Sequence, residues 1–281
     1  VAQFGLDSRA PARGRAPDAE AREILTIAGR AGVHVLDTGA ASTHGEGILG
    51  QVMPRPAPFK ITVKAARGDR GADFVEQEAR ASLARLGLVR ADAIMVQAAS
   101  DLFAPYGKAL WQRLLDLRDA GLFERVGISA YASDDPAGLA RRFGPDLMQA
   151  PASLLDQRLL VDGTLAAIRD MGIEVHLRSI FLNGLLFLPP DRAPSHLGAA
   201  AISRLSRARR LIAEGRSDPL QASLAFALSR PEADAVIVGA ATAAEVSAVI
   251  AAAASPPPDL DWDDLAIDDP QVLDPRRWAA A

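Results

Sequence analysis

The chain has 281 residues, 49% of them apolar and 23% charged, which is ordinary globular composition with enough apolar material for a large core. Its formal net charge of −4 argues against general binding to nucleic acid or to membrane surfaces. Cysteine is absent, so disulfides, thiolate metal sites and cysteine nucleophiles are excluded.

Short β-type runs alternate with helical stretches along the whole chain. A first strand is predicted near residues 2–4, and the opening Val1-Ala2-Gln3-Phe4-Gly5 lacks the basic and apolar regions of a signal peptide. Further strands are predicted at 33–37, 59–64, 93–97, 125–129, 146–149, 173–179 and 235–238. The apolar period predicts helices at 19–31, 73–86, 108–120, 137–143, 163–171, 199–212, 219–228 and 243–253. The longest apolar stretch, Ile180 to Leu188, is broken by Asn183 and Gly184. It falls well short of the roughly 20 residues a bilayer span needs. A cytoplasmic protein is expected.

Strands alternating with helices imply parallel pairing through crossovers, and about eight such units imply a closed (β/α)₈ barrel. No linker interrupts the series, so 1–281 reads as a single domain. Ser255-Pro256-Pro257-Pro258 closes the barrel, and an acidic tail occupies about 255–281, with Trp262 and Trp278 expected to tack it down.

Chemistry in such a barrel sits at the C-terminal ends of the strands. Those ends carry Asp37, Lys64, Gln97, Ser129, Gln149 and Ser179, which together describe a polar mouth above an apolar core. Asp37 is placed to hold Lys64 charged, and Lys64 to polarise a substrate oxygen. The alternative is a structural ion pair. Arg204, Arg207, Arg209 and Arg210 crowd one helix, as a solvated face or as an anion site. Thr242 and Glu245 read as a capping box opening the last helix, whose N-terminus is also a ready anion site. The four histidines (His34, His44, His176 and His196) lack metal-ligand spacing.

Several segments, in order, resemble the aldo-keto reductase superfamily. They are Leu36-Asp37-Thr38-Gly39 with Gly45-Glu46-Gly47-Ile48-Leu49-Gly50, Ile61-Thr62-Val63-Lys64, and Val126-Gly127-Ile128-Ser129. Leu147-Met148-Gln149-Ala150-Pro151, the run from Arg178 to Leu186, and Val236-Ile237-Val238-Gly239-Ala240 continue the likeness, and Ala2-Gln3-Phe4-Gly5-Leu6 resembles a bacterial branch. The resemblance implies the (β/α)₈ barrel and NADPH or NADH bound across its mouth. It also implies reduction of a small carbonyl or sugar-like substrate by a tetrad of Asp, Tyr, Lys and His.

Two tetrad members match, Asp37 and Lys64; the Tyr position falls at Ser42 and the His position at Gln97. A serine hydroxyl is a far weaker acid than a phenol, and a glutamine exchanges no proton. Loss of a positioned general acid costs roughly 10²–10⁴ in rate. Tyr106 and Tyr131 are nearby phenols or rim packing. For the cofactor, the resemblance assigns Ser129, Gln149, Arg178, Ser179, Gly239, Thr242 and Glu245. Arg178 stands where an aromatic often stacks on the nicotinamide, and Ala240, Ala241 and Thr242 stand where basic residues usually hold the 2′-phosphate. Three functions follow: an oxidoreductase with weakened acid–base chemistry, a non-catalytic barrel that binds a sugar-like or nucleotide ligand or a protein partner, or a non-redox enzyme using Lys64; the cofactor is NADPH, NADH or none.

Overall fold

In a computed structural model, residues 18–39, 43–188 and 197–280 are described. The predicted first strand at 2–4 lies outside them, as do Ser42 and His196. Seven strands occur among the described residues: β1 (Val35–Gly39), β2 (Lys60–Lys64), β3 (Ala91–Val96), β4 (Phe123–Ser129), β5 (Leu147–Pro151), β6 (Glu174–Arg178) and β7 (Ala235–Val236). Their order in the sheet follows chain order, and the pairings β1–β2, β2–β3, β3–β4, β4–β5 and β6–β7 are parallel. The helices are α1 (Asp18–Arg30), α2 (Thr43–Val52), α3 (Ala72–Leu86), α4 (Ser100–Phe103), α5 (Gly107–Asp119) and α6 (Pro136–Phe143). They continue with α7 (Arg158–Val161), α8 (Thr164–Asp170), α9 (Gly198–Glu214), α10 (Pro219–Leu228), α11 (Ala243–Ala254) and α12 (Pro270–Leu273).

All seven strands predicted beyond the first are present, with shifted ends. β1 runs on to Gly39, so Asp37 is its middle residue rather than its last. β3 stops at Val96, which leaves Gln97 one residue past the strand. β6 stops at Arg178, because Ser179 adopts a left-handed φ of 60° that ends the extended backbone. Helix α2 was not among the predicted helices: its three glycines and weak period hide it.

The residues pack as two compact units. The first comprises 1–130, 139–149 and 239–250, and the second 131–138, 150–238 and 251–281. In the first unit, register sets which side chains share a face. Lys64 lies opposite Met95, Met95 opposite Gly127, Gly127 opposite Leu147, and Ser129 opposite Gln149. Ala93, Met95 and Leu147 pack together fully buried and so mark the inner face. Side chains alternate along a strand, so Asp37, Lys64, Ser129 and Gln149 are on that same face. A Cβ on Gly127 would stand 2.7 Å from Met95 Cε and 2.9 Å from Leu147 Cγ, so the layer closes only with glycine there.

Helices α2 and α3 approach closely in the same unit. A Cβ on Gly50 would meet the Arg85 carbonyl oxygen at 2.0 Å. The contact is pinned by the fully buried Glu46, which accepts from Arg85 Nε at 2.8 Å.

The second unit has its own core, in which Leu154, Leu155, Leu205, Ile212 and Phe226 are buried. The C-terminal stretch contributes to it: Leu265, Ile267, Val272 and Leu273 are buried in the same cluster, and Ile267 N–H donates to Leu155 O at 2.9 Å. Trp262 packs edge-on against Phe226 at 5.6 Å, as expected of a tacking residue; the Trp278 side chain lies outside the description. The tail read as acidic and solvated thus supplies core, because its apolar residues fall between the aspartates.

Candidate functional site

The inner face of the first unit carries the polar group nearest to chemistry. Lys64 Nζ donates to Asp37 Oδ2 at 2.5 Å, with side chains only 15% and 17% exposed. The second Asp37 oxygen is buried and has no hydrogen-bond partner, so Lys64 is the group that neutralises this carboxylate. A strand brings each to the inner face, and the β1–β2 pairing makes them neighbours. The arrangement fixes an ammonium in a partly dry place, where it acts strongly on any negative charge developing beside it.

Gln149 is fully buried, and both its Oε1 and its Nε2 lack a hydrogen-bond partner. Leaving a buried donor and acceptor unmade costs about 1–3 kcal/mol each. A ligand presenting a planar amide, with one acceptor and one donor, would satisfy both. Ser129, 7% exposed and directly opposite Gln149 in register, adds a hydroxyl to the same spot. The pair therefore fits a carboxamide such as that of nicotinamide.

Gln97 is exposed just past β3 and is two residues on from Met95. Tyr106 is committed elsewhere. Its hydroxyl donates to Asp101 Oδ1 at 3.2 Å, and Asp101 also accepts from Arg67 Nε at 2.6 Å, Arg67 Nη2 at 2.5 Å and Gly68 N at 3.3 Å. Burial opposes the charge on Asp101, but the Arg67 guanidinium, the Gly68 amide and the phenol outweigh it and hold the carboxyl below its usual range. Burial and the Asp101 carboxylate push the Tyr106 phenol up, the wrong direction for a proton donor at neutral pH.

In the second unit, the Arg178 guanidinium lies 4.1 Å from the centroid of the Tyr131 ring, and its Nη1 donates to Ser179 Oγ at 3.2 Å. The stacking surface predicted for a nicotinamide ring is here turned toward Tyr131. Arg276 stacks on the same ring at 3.8 Å and pairs with Asp134 and Asp274.

Gly239, Thr242 and Glu245 lead into α11. Thr242 Oγ1 accepts from Glu245 N at 3.1 Å, as predicted of a capping box. The Glu245 carboxylate, however, accepts from Ala241 N at 2.6 Å rather than from Thr242 itself. A second carboxylate, Glu20 from α1, accepts from Ala243 N at 2.6 Å.

The arginine row on α9 divides. Arg209 donates to the carbonyls of Leu185 and Leu186, both at 3.0 Å, and burial lowers its pKa. Arg210 faces Glu214, and Arg207 pairs with Asp264. Arg204 and Arg207 line a cavity of about 790 Å³ together with Arg158, and Asp162, Asp264 and Asp268 line it too, so its charges balance. His34 and His44 are exposed, and His176 is fully buried against Glu174 at 2.6 Å. No group of three metal-ligating side chains occurs among the described residues.

Glu20, Asp101 and Arg276 escaped sequence reasoning. Glu20 is 223 positions from its partner, and no local pattern announces such a contact. Asp101 had a faint signal, a carboxylate at the start of a short helix.

The aldo/keto reductase family model matches residues 2–267. An aldo-keto reductase of Mycolicibacterium vanbaalenii is 32% identical over 134 residues, 45% of this chain and 47% of that protein. One from Mycolicibacterium smegmatis is 29% identical over 126 residues, 43% and 44% of the two chains. The chain thus spans about half the length of the curated relatives it matches. Among solved structures, an aldo-keto reductase from Bacillus halodurans in its holo form superposes with a TM-score of 0.73 at 20% identity, covering 89% of this chain and 86% of that one. One from Pseudomonas aeruginosa gives 0.66 at 18% identity, covering 90% and 87%. The fold is the (β/α)₈ barrel of these structures.

Proposed function

The chain belongs to the aldo/keto reductase family, and from that premise we propose that it is an oxidoreductase that binds a nicotinamide dinucleotide and reduces the carbonyl of a small, carbonyl-bearing or sugar-like molecule. The observation that carries this reading is the Gln149 amide, buried with donor and acceptor both unpartnered beside Ser129. When bound, the dinucleotide supplies the hydride that reaches the carbonyl carbon.

Gln149 and Ser129 would hold its carboxamide through the Gln149 amide and the Ser129 hydroxyl. Lys64, anchored by Asp37 at 2.5 Å, stabilises the negative charge that develops on the substrate oxygen. Ser42 and Gln97 take the positions of the family's phenol and imidazole, so they orient that oxygen without exchanging its proton. Lys64, or water beside it, delivers the proton, and turnover is slower by roughly 10²–10⁴ than with a positioned phenol. Tyr106 does not substitute, because Asp101 holds its proton.

The commitment of Tyr106 also favours a second reading, a barrel that binds without turning over. Nicotinamide absorbance, followed with a panel of aldehydes, ketones and sugars, separates the two. Slow turnover that falls at least about 100-fold in Lys64→Met supports the oxidoreductase. Dinucleotide binding with no turnover of any carbonyl leaves the binding role.

A further inference from the structure

The N-terminus of α11 is where a barrel of this architecture offers a phosphate its best seat. The loop after the last strand and the helix that follows present backbone N–H groups at the mouth, with the helix dipole behind them. In this chain three of those donors are already used. Ala241 N–H is bound by the Glu245 carboxylate and Ala243 N–H by the Glu20 carboxylate, both at 2.6 Å, and Glu245 N–H by Thr242 Oγ1 at 3.1 Å. No lysine or arginine occurs from Gly239 to Ala254.

The two carboxylates are far apart in sequence, and they bind N–H groups two residues apart, Ala241 just before α11 and Ala243 at its start. A phosphate monoester at this place carries close to two negative charges at neutral pH. To take the same N–H groups it must displace both carboxylates and then stay beside them. Each is a charged acceptor bound at short range, so neither yields readily.

We infer that the chain selects the dinucleotide lacking the 2′-phosphate, NADH over NADPH, because Glu20 and Glu245 occupy N–H groups at the entrance to α11 and put two carboxylates where the phosphate monoester would sit. The inference rests on the proposed use of a nicotinamide dinucleotide. Glu20 and Glu245 then act by excluding one cofactor, which gives a purpose to a contact that spans 223 positions of sequence.

The test is a pair of titrations of the full chain, with NADH and with NADPH, read by nucleotide fluorescence and by calorimetry without any substrate. The expected result is NADH binding tighter by on the order of tenfold. In Glu245→Gln, which keeps an acceptor for Ala241 N–H and removes the charge, the ratio of the two affinities narrows several-fold toward NADPH. Glu20→Gln moves the ratio the same way, and thermal melts show that both variants are folded. NADPH binding as tightly as NADH to the unaltered chain overturns the inference and leaves the cofactor proposal standing. A ratio unmoved by both substitutions overturns the assignment to these carboxylates. No binding of either nucleotide at millimolar concentration sinks the inference together with the proposed function.

Discussion

The Arg276 guanidinium carbon sits 3.8 Å from the centroid of the Tyr131 ring, and Arg178 occupies the same ring at 4.1 Å. The one phenol ring thus carries two cation–π contacts. Asp134 and Asp274 share the charge of Arg276, and Asp274 first, then Asp134, hold its pKa above the ordinary guanidinium value. The loop after β4 and the segment after α12 are thereby joined through one side chain.

Arg276→Ala should therefore cost stability without touching the Lys64 pair. The side chain is 41% exposed, so solvent screens its ion pairs. An expected loss of about 1–2 kcal/mol combines one cation–π contact with screened pairs. It appears as a drop in Tm of roughly 2–6 °C. Arg276→Lys keeps the charge and loses the planar stack, and should recover less than half of the loss. Full recovery with lysine would mean that the stack on Tyr131 contributes nothing.

Lys64 and Asp37 should behave as a coupled pair in urea unfolding. Lys64→Met leaves a mostly buried carboxylate whose other oxygen already lacks a partner, at an expected cost of about 1–3 kcal/mol. Adding Asp37→Leu removes the stranded charge, and the double variant should be more stable than Lys64→Met alone. Additive losses in the cycle would show that the 2.5 Å contact carries no coupling energy.

The Asp101 cluster predicts opposite responses to acid and base. The Asp101 carboxyl is held below its usual pKa, so its contribution to stability is present above about pH 4 and is lost as pH falls through the lowered value. The Tyr106 phenol is pushed up, so its contribution is present below about pH 10 and fades as pH rises through the raised value. The chain has two tyrosines, so the difference in alkaline absorbance between the unaltered chain and Tyr106→Phe isolates this phenol. It should ionise above the ordinary tyrosine range; ionisation below it would restore Tyr106 as a proton donor.

The barrel was legible because its strands are period-two or wholly apolar runs between amphipathic helices, and strands at 59–64 and 125–129 end where the structure ends them, at Lys64 and Ser129. Of the six residues expected at strand ends, only Lys64 and Ser129 are there: Asp37 and Gln149 are the middle residues of β1 and β5, and Gln97 and Ser179 lie just past β3 and β6. Helix α2 was not legible, since glycine at 45, 47 and 50 suppresses the helical period; packing explains one of them, Gly50, which admits the backbone of α3. The partners of Tyr106 and of the α11 donors were hidden for another reason. Both are long-range polar contacts, and a single carboxylate such as Glu20 carries no periodic signal of where it will land.

The contact between Glu20 and Ala243 also bears on how the first unit can be made. That unit draws on three separated stretches, 1–130, 139–149 and 239–250. Its closing contact joins α1 to α11, so no contiguous fragment ending before α11 holds all of it. The entropy of closing so long a loop must be met before that contact returns any stabilisation. During synthesis, α1 waits without this contact until residue 243 has emerged. A truncated chain would keep Asp37, Lys64, Ser129 and Gln149 but leave Glu20 with nothing to bind.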